Sequence, residues 1–145
     1  MTDFDKPADL PPGWQRDHVE RYVATDGKEG HVWQGVPTLL LTTIGRRSGQ
    51  ARRTPLIYGR DDDRYLVVAS KGGSDDPPLW YTNLTADPRV RIQVGADTVD
   101  GHARTATAEE KERLWPMMTK IWPAYDDYQT RTSREIPIVI IEASS

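Results

Sequence analysis

The chain has 145 residues, enough for one domain, and a formal net charge of −3, which argues against a nucleic-acid-binding protein. It contains no cysteine, which excludes disulfides, thiolate nucleophiles, zinc–thiolate sites and iron–sulfur clusters. No apolar run approaches the ~20 residues of a membrane-spanning helix, and the acidic, proline-containing N-terminus does not resemble a signal peptide, so we expect a cytoplasmic protein.

The chain is predicted to begin with an arm and a short helix. Residues 1–13 are polar and contain several prolines, which predicts a flexible N-terminal arm before a single domain over residues 14–145. Apolar side chains share one face of a helix over residues 14–24. The pair Asp26 and Gly27 is typical of a turn and ends this helix.

Six later segments have the pattern of β-strands. They are rich in apolar and β-branched residues and are separated by turn residues. The segments cover residues 39–44, 54–58, 65–70, 89–94, 98–105 and 136–141. The last one is a continuous apolar run, which is typical of a strand that is buried on both faces.

Two predicted helices interrupt these strands. Pro78 suits the first turn of a helix that runs to about Thr85. Thr107 and Glu110 form a capping box at the start of the second helix, which Pro116 is expected to bend or interrupt. Many short strands and few helices predict a mainly β fold with flanking helices (α+β), arranged as a small closed barrel and not as a doubly wound sheet.

Common catalytic motifs are missing from the sequence. It contains no G-x-G-x-x-G segment after a strand, no Walker A loop and no G-x-S-x-G elbow. The histidines His18, His31 and His102 lie far apart and lack metal-ligand spacing, so we expect surface histidines and no metal site. Since the side chains are poorly equipped to break bonds themselves, the sequence indicates a cofactor that supplies the chemistry.

Four segments carry residues suited to holding such a cofactor. Residues 45–55 place four arginines beside two glycines, which favours an anion held by guanidinium groups and backbone amides. Residues 69–73 combine small residues with a lysine at a strand end, and residues 78–84 form a helix start that contains a tryptophan. Tyr125 and Tyr128 lie one helical turn apart. Each segment taken alone is equally consistent with a solvated hairpin, a strand exit, core packing or surface tyrosines.

Taken together and in this order, the segments resemble the deazaflavin-dependent nitroreductase family of actinobacteria. The matching stretches are residues 41–52, 69–73, 79–84, 115–116, 125–128 and 136–139. The resemblance implies a split β-barrel of about six strands, related to the flavin-nucleotide-binding barrels. It also implies coenzyme F420, whose tail carries a phosphate, a lactyl group and several glutamates, and an F420H2-dependent oxidoreductase of the quinone or nitro reductase type.

The resemblance implies roles for individual residues as well. The cofactor-binding residues would be Arg46, Arg47, Ser48, Arg52, Arg53, Thr54, Pro55, Val68, Ala69, Ser70, Lys71, Leu79, Trp80 and Asn83. The substrate-binding residues would be Ser70, Trp122, Tyr125 and Tyr128, with the hydroxyl of Tyr125 as the catalytic group. Asp75 and Asp76 would oppose an anionic tail, so we expect them to face water.

The implied reaction is hydride transfer from the reduced coenzyme to a quinone, an enone or a nitroaromatic compound. Three alternatives stay open at this stage: an FMN-dependent reductase on the same barrel, a deazaflavin-binding protein without catalytic activity, and contact of the arginine loop with nucleic acid, against which the acidic balance argues. Members of the family often carry a longer apolar N-terminal helix that is associated with membrane quinones. The short, charged N-terminal region of this chain argues against membrane attachment.

Overall fold

Antiparallel strands form one curved sheet in the computed structural model, which describes residues 4–8 and 10–144. The strands are β1 Val32–Trp33, β2 Val36–Ile44, β3 Ala51–Ile57, β4 Gly59–Asp61, β5 Arg64–Val68, β6 Arg89–Val94, β7 Asp97–Thr105 and β8 Ile138–Ala143. The helices are α1 Trp14–Ala24, α2 Leu79–Ala86, α3 Ala108–Ile121 and α4 Ala124–Thr130, with a 3₁₀ turn at Lys71–Gly73. The six predicted strands and the three predicted helices all occur in the expected places.

The sheet curls into a barrel because one bent strand pairs at both of its ends. The strand order is β1-β2-β6-β7-β8-β5-β4, and β3 lies on the other side of β2. Only Tyr58 separates β3 from β4, so the first part of this strand pairs with β2 and its continuation pairs with β5. The predicted split barrel of about six strands, with flanking helices, is confirmed.

The core has two layers that share the strands β5 and β8. Val67 and Ile141 face the barrel interior, where they pack with side chains from β2, β6 and α2. Leu66 and Ile140 point to the opposite face, which α3 and α4 cover. Because successive strand residues alternate between the two faces of a sheet, β8 is buried on both sides, as its apolar run predicts.

Helix α3 begins as predicted and includes Pro116. Thr107 accepts a hydrogen bond from the backbone N–H of Glu110, whose side chain in turn accepts one from Thr107, so the capping box is present. The helix continues past Pro116 to Ile121, so of the two expected effects of this proline, a bend or an interruption, the interruption does not occur. The fully buried side chains of Leu114 and Met118 pack on the outer core layer and compensate for the hydrogen bond that proline removes.

The described part of residues 1–13 contacts the sheet. Asp5 pairs with Arg91 at 2.5 Å between Oδ1 and Nη1, and the backbone N–H of Ala8 donates to the carbonyl of Ala51 at 2.8 Å. Leu10 packs beside α1. Among the described residues, no helix combines the length and the apolar character that a membrane span requires.

Candidate functional site

A cleft of about 490 Å³ opens where β3 and β5 face each other without pairing. One side, named here the barrel wall, comes from β3, the end of β5 with the loop after it, and the start of α2. Its predicted members are Thr54, Pro55, Val68, Ser70, Lys71, Leu79 and Trp80. The opposite side comes from α1, β1 and the region of α4. The cleft thus brings together residues from both the cofactor-binding and the substrate-binding predictions.

The barrel wall contains a tightly turned loop at its centre. Lys71 has a φ angle of 45° and Gly72 one of 63°, which is left-handed backbone that glycine adopts freely and lysine adopts rarely. Gly73 is fixed by packing, since a Cβ atom there would lie 2.6 Å from the carbonyl oxygen of Tyr128. This loop therefore holds Ser70 and Lys71 against the cleft in a conformation that regular secondary structure does not provide.

Five rings form the opposite side, named here the aromatic wall: Trp14, Trp33, Trp122, Tyr125 and Tyr128. The rings of Trp14 and Trp33 stack with their centroids 5.8 Å apart and an interplanar angle of 14°. Trp33 and Trp122 lie 5.6 Å apart, and Tyr125 meets Tyr128 edge-to-face at 6.1 Å. Such contacts hold large rings in fixed positions at modest entropic cost. The wall therefore offers several fixed ring surfaces to a ring-shaped ligand.

Tyr125 is the innermost hydroxyl-bearing residue of the aromatic wall. Its side chain is only 4% exposed, whereas Tyr128 is half-buried. Burial, and then the neighbouring Tyr128, raises the pKa of the Tyr125 phenol far above its ordinary value, so this group stays neutral and keeps its proton. The Tyr125 hydroxyl has no hydrogen-bond partner among the described residues, and the residue lines the cleft. The Tyr125 hydroxyl can therefore donate a hydrogen bond to a ligand in the cleft.

Four exposed cations come from the β2–β3 hairpin and from the loop after β5, and are named here the cationic rim: Arg46, Arg47, Arg52 and Lys71. Lys71 lines the cleft, and the three arginines do not. Within the described part of the chain, none of them forms an ion pair. Arginines elsewhere, such as Arg91 and Arg104, are paired with carboxylates. Asp75 and Asp76 are exposed, as predicted, and do not pair with the rim. The rim is therefore free to bind an anion.

Asn83 connects the cationic rim to the cleft without lining it. The β2–β3 hairpin turn is closed by the N–H of Gly45, which donates to the carbonyl of Gln50 at 2.8 Å. Asn83 on α2 accepts a hydrogen bond from the N–H of Arg46 at 3.2 Å and donates one to Thr43 Oγ1 at 3.2 Å. Ser48 Oγ accepts from the N–H of Gln50 and also shapes this turn. Asn83 and Ser48 thus position the arginines beside α2.

Six other predicted cofactor-binding residues do not line the cleft: Arg46, Arg47, Ser48, Arg52, Arg53 and Ala69. Ala69 is fully buried and packs in the barrel interior. Arg53 lines a crevice between the sheet and the segment around Leu10 and α1. Because neighbouring strand residues point to opposite faces, Arg53 is directed away from the face that carries Arg52 and Thr54. The structure does not bring Arg53 together with the other predicted residues.

Several cleft residues were not predicted from the sequence: Trp14, Gln15, His18, Trp33 and Thr38. His18 was expected on the surface, but its Nε2 donates to the carbonyl of Gly30 at 2.7 Å and its ring borders the cleft. The only sequence property that indicated such a wall is the excess of five Trp and six Tyr over one Phe. No group of three or more His, Cys, Asp or Glu in the described regions is placed to hold a metal ion.

Comparisons with known proteins identify the family of the chain. A family model described as F420H(2)-dependent quinone reductase matches residues 14–143. An F420H(2)-dependent quinone reductase of Mycobacterium tuberculosis is 42% identical over 128 residues, which are 86% of this chain and 86% of that protein. A solved structure of an F420-H2 dependent reductase (FDR-A) is 41% identical, with a TM-score of 0.68 over 73% of this chain and 94% of that one. Another, described as a domain-swapped dimer, is 38% identical, with a TM-score of 0.72 over 88% of this chain and 96% of that one. The chain belongs to the F420H(2)-dependent quinone reductase family.

Proposed function

We propose that this chain binds reduced coenzyme F420 in the cleft and transfers hydride to a quinone-type acceptor at the aromatic wall. The observation that carries the proposal is a cleft with largely aromatic and apolar walls, one of whose lining residues, Lys71, belongs to a set of exposed cations without ion-pair partners in the described part of the chain. One ligand must therefore combine a flat ring with an anionic extension. A deazaflavin with a phosphate and several carboxylates has both parts.

The cationic rim fits the coenzyme tail by charge and by geometry. Arg46, Arg47 and Arg52 are exposed guanidinium groups, which bind phosphate and carboxylate through two parallel N–H donors. Lys71 belongs to both the rim and the barrel wall, so it lies where a tail would join a ring. Four free cations exceed what the single phosphate of FMN requires, and this favours the coenzyme with the longer anionic tail.

The barrel wall fits the ring. Pro55 and Val68 offer small apolar surfaces, and Trp80 closes the cleft at the start of α2. The bound coenzyme would supply the hydride. The residues of this chain position the two reactants and exclude water, which accounts for a large part of the rate in a reaction of two bound rings.

The acceptor would lie against the aromatic wall. Quinones and nitroaromatics are flat, electron-poor rings that stack well on Trp and Tyr side chains. Tyr125 would donate its phenolic proton in a hydrogen bond to the acceptor oxygen as negative charge develops there. A cytoplasmic location is part of this proposal, because the protein must work where its diffusible coenzyme is kept reduced.

Titration of deazaflavin fluorescence against purified protein tests the coenzyme, with FMN as the competitor in the same buffer. We expect F420 to bind in the micromolar range or tighter and FMN to bind more weakly. Tighter binding of FMN would contradict the proposal. Steady-state reduction of a menadione-like quinone by F420H2 then tests turnover, and tight coenzyme binding without any turnover would indicate a binding protein.

A further inference from the structure

Arg134 contacts the back of the loop that carries Ser70 and Lys71. Its Nε donates to the carbonyl of Ser74 at 2.8 Å, and its Nη2 donates to the carbonyls of Ala69 at 3.2 Å and Ser70 at 2.9 Å. The side chain is half-buried, and it has no carboxylate partner in the described part of the chain. A guanidinium group at this position therefore binds only neutral carbonyl oxygens, which are all on one loop.

The same residue is tied to the helix that supplies the tyrosines. Gln129, in α4, donates from Nε2 to the carbonyl of Arg134 at 2.8 Å, and its Oε1 accepts from the N–H of Ile136 at 2.9 Å. Arg134 therefore lies between α4, which carries Tyr125 and Tyr128, and the loop of the barrel wall. Its backbone is fixed to one side of the cleft and its side chain to the other.

Peptide geometry relates these contacts to the cleft. A trans peptide group is planar, and its carbonyl and N–H point in opposite directions. With the carbonyls of Ala69 and Ser70 turned towards Arg134, the N–H groups of Ser70 and Lys71 point away from it, and neither donates to a described residue. Arg134 thus determines how this part of the barrel wall faces the cleft.

We propose that Arg134 is a positioning residue for coenzyme binding, because it holds the Ser70–Gly72 loop against the cleft and sets its distance from α4. This role rests on the proposed function, since it concerns the same cleft. Arg134 does not line the cleft itself and touches no reacting group. Its loss lets the loop relax and moves Ser70 and Lys71 away from the ring and the tail.

The test compares Arg134→Ala and Arg134→Lys with Arg104→Ala by coenzyme titration, thermal unfolding and steady-state kinetics. Arg104 is a matched control because it also makes three side-chain hydrogen bonds, to Glu110 and Glu142, outside the cleft. We expect Arg134→Ala to weaken coenzyme binding by about tenfold, a loss equivalent to one charged hydrogen bond at the lower end of its usual range. Its KM for the coenzyme should rise more than its kcat falls. Arg104→Ala should lower the melting temperature without this change in affinity.

Guanidinium ion at tens of millimolar separates positioning from general stability. It should restore much of the coenzyme affinity of Arg134→Ala and have no such effect on the wild type or on Arg104→Ala. Equal coenzyme affinity of Arg134→Ala and wild type overturns the role, and so does a loss that guanidinium leaves unchanged. If Arg134→Ala does not fold, the same measurements on Arg134→Lys test the role, because one ammonium group cannot reproduce the planar set of donors of a guanidinium group. Wild-type coenzyme affinity in Arg134→Lys overturns the role.

The affinity of the wild-type protein for F420 distinguishes failure of the proposed function from failure of the proposed role of Arg134. Wild-type protein that binds F420, together with unaffected Arg134 variants, overturns only the role of Arg134. Wild-type protein that does not bind F420 overturns the proposed function and the role that rests on it.

Discussion

Tyr125→Phe isolates a single hydroxyl in the cleft. The ring of Tyr125 packs against Trp115, with centroids 6.3 Å apart, and against Tyr128 at 6.1 Å, and phenylalanine preserves both contacts. The hydroxyl has no hydrogen-bond partner among the described residues, so its removal costs no bond in the folded protein. We therefore expect an unchanged or slightly higher melting temperature and nearly unchanged coenzyme affinity.

The expected kinetic loss follows from the protonation state of this phenol. Its raised pKa keeps the group neutral across the working pH range, so it acts as an ordinary donor whose bond strengthens when the acceptor oxygen gains charge. Hydrogen bonds to charged groups are worth about 1.5–3 kcal/mol. The turnover number should therefore fall by about ten- to a hundredfold, with a smaller change in the KM for the acceptor.

Steady-state kinetics with a quinone and a nitroaromatic acceptor measures this loss, alongside a coenzyme titration of each variant. Tyr81→Phe is the control, since its hydroxyl bonds to Thr105 Oγ1 at 2.8 Å outside the cleft. The control should lose stability and keep its turnover. Unchanged turnover of Tyr125→Phe with every acceptor would refute the catalytic role, and the cleft would then act by shape alone.

Three further predictions follow from other parts of the structure. Arg46→Ala or Lys71→Ala should weaken binding of the full coenzyme by about ten- to a hundredfold. Fluorescence titration should show a smaller loss for a coenzyme without its tail. The control is Arg89→Ala, which removes an exposed and paired arginine and should change the affinity for neither form of the coenzyme. Two adjacent arginines lower the pKa of Asp61 from 3.8 to about 2, so its contribution to stability is complete above pH 4 and is lost as the pH falls towards 2. After allowance for solvent screening, Asp61→Asn should lower the free energy of unfolding by about 1 kcal/mol at pH 7, and urea titrations should show no remaining difference near pH 2. Trp33→Ala removes the ring that lies between Trp14 and Trp122. The variant should have a several-fold higher KM for large flat acceptors and an unchanged affinity for the coenzyme. Equal effects on small and large acceptors would contradict the role of Trp33 in the aromatic wall.

The strands were predictable because their patterns are local, and the residue at which the chain changes its pairing partner to close the barrel was not. The alternation in residues 89–94 reflects a strand with one buried face and one more exposed face, and the apolar run at 136–141 reflects a strand that is buried on both faces. The short strands β1 and β4 have two and three residues and leave no comparable pattern. Closure depends on Tyr58, where the chain changes its partner from β2 to β5, and this pairing across the sheet has no local sequence equivalent.

The barrel wall was predictable from its motifs, and most of the aromatic wall was not. Ser70 and Lys71 belong to a contiguous segment whose order along the chain supports the family resemblance, and the family itself is confirmed by the family model. Trp14 and Trp33 come from separate elements that meet only through tertiary packing. Arg53 illustrates the opposite error, because a cluster of arginines in sequence is divided between two faces once it lies on a strand.

The distribution of charge explains how a chain with a net charge of −3 is suited to an anionic coenzyme. Its acidic residues are not spread evenly around its cations: Asp61, Asp100 and Glu110 each pair with arginines on the outside of the sheet and on α3. Those pairs cancel locally and leave little field beyond a Debye length. The cationic rim has no such partners among the described residues, so the field at the mouth of the cleft is set by local arrangement and not by the net charge. In the proposed function, the tail would then be drawn towards the rim, and the side of the cleft with Tyr125 would remain for a neutral acceptor.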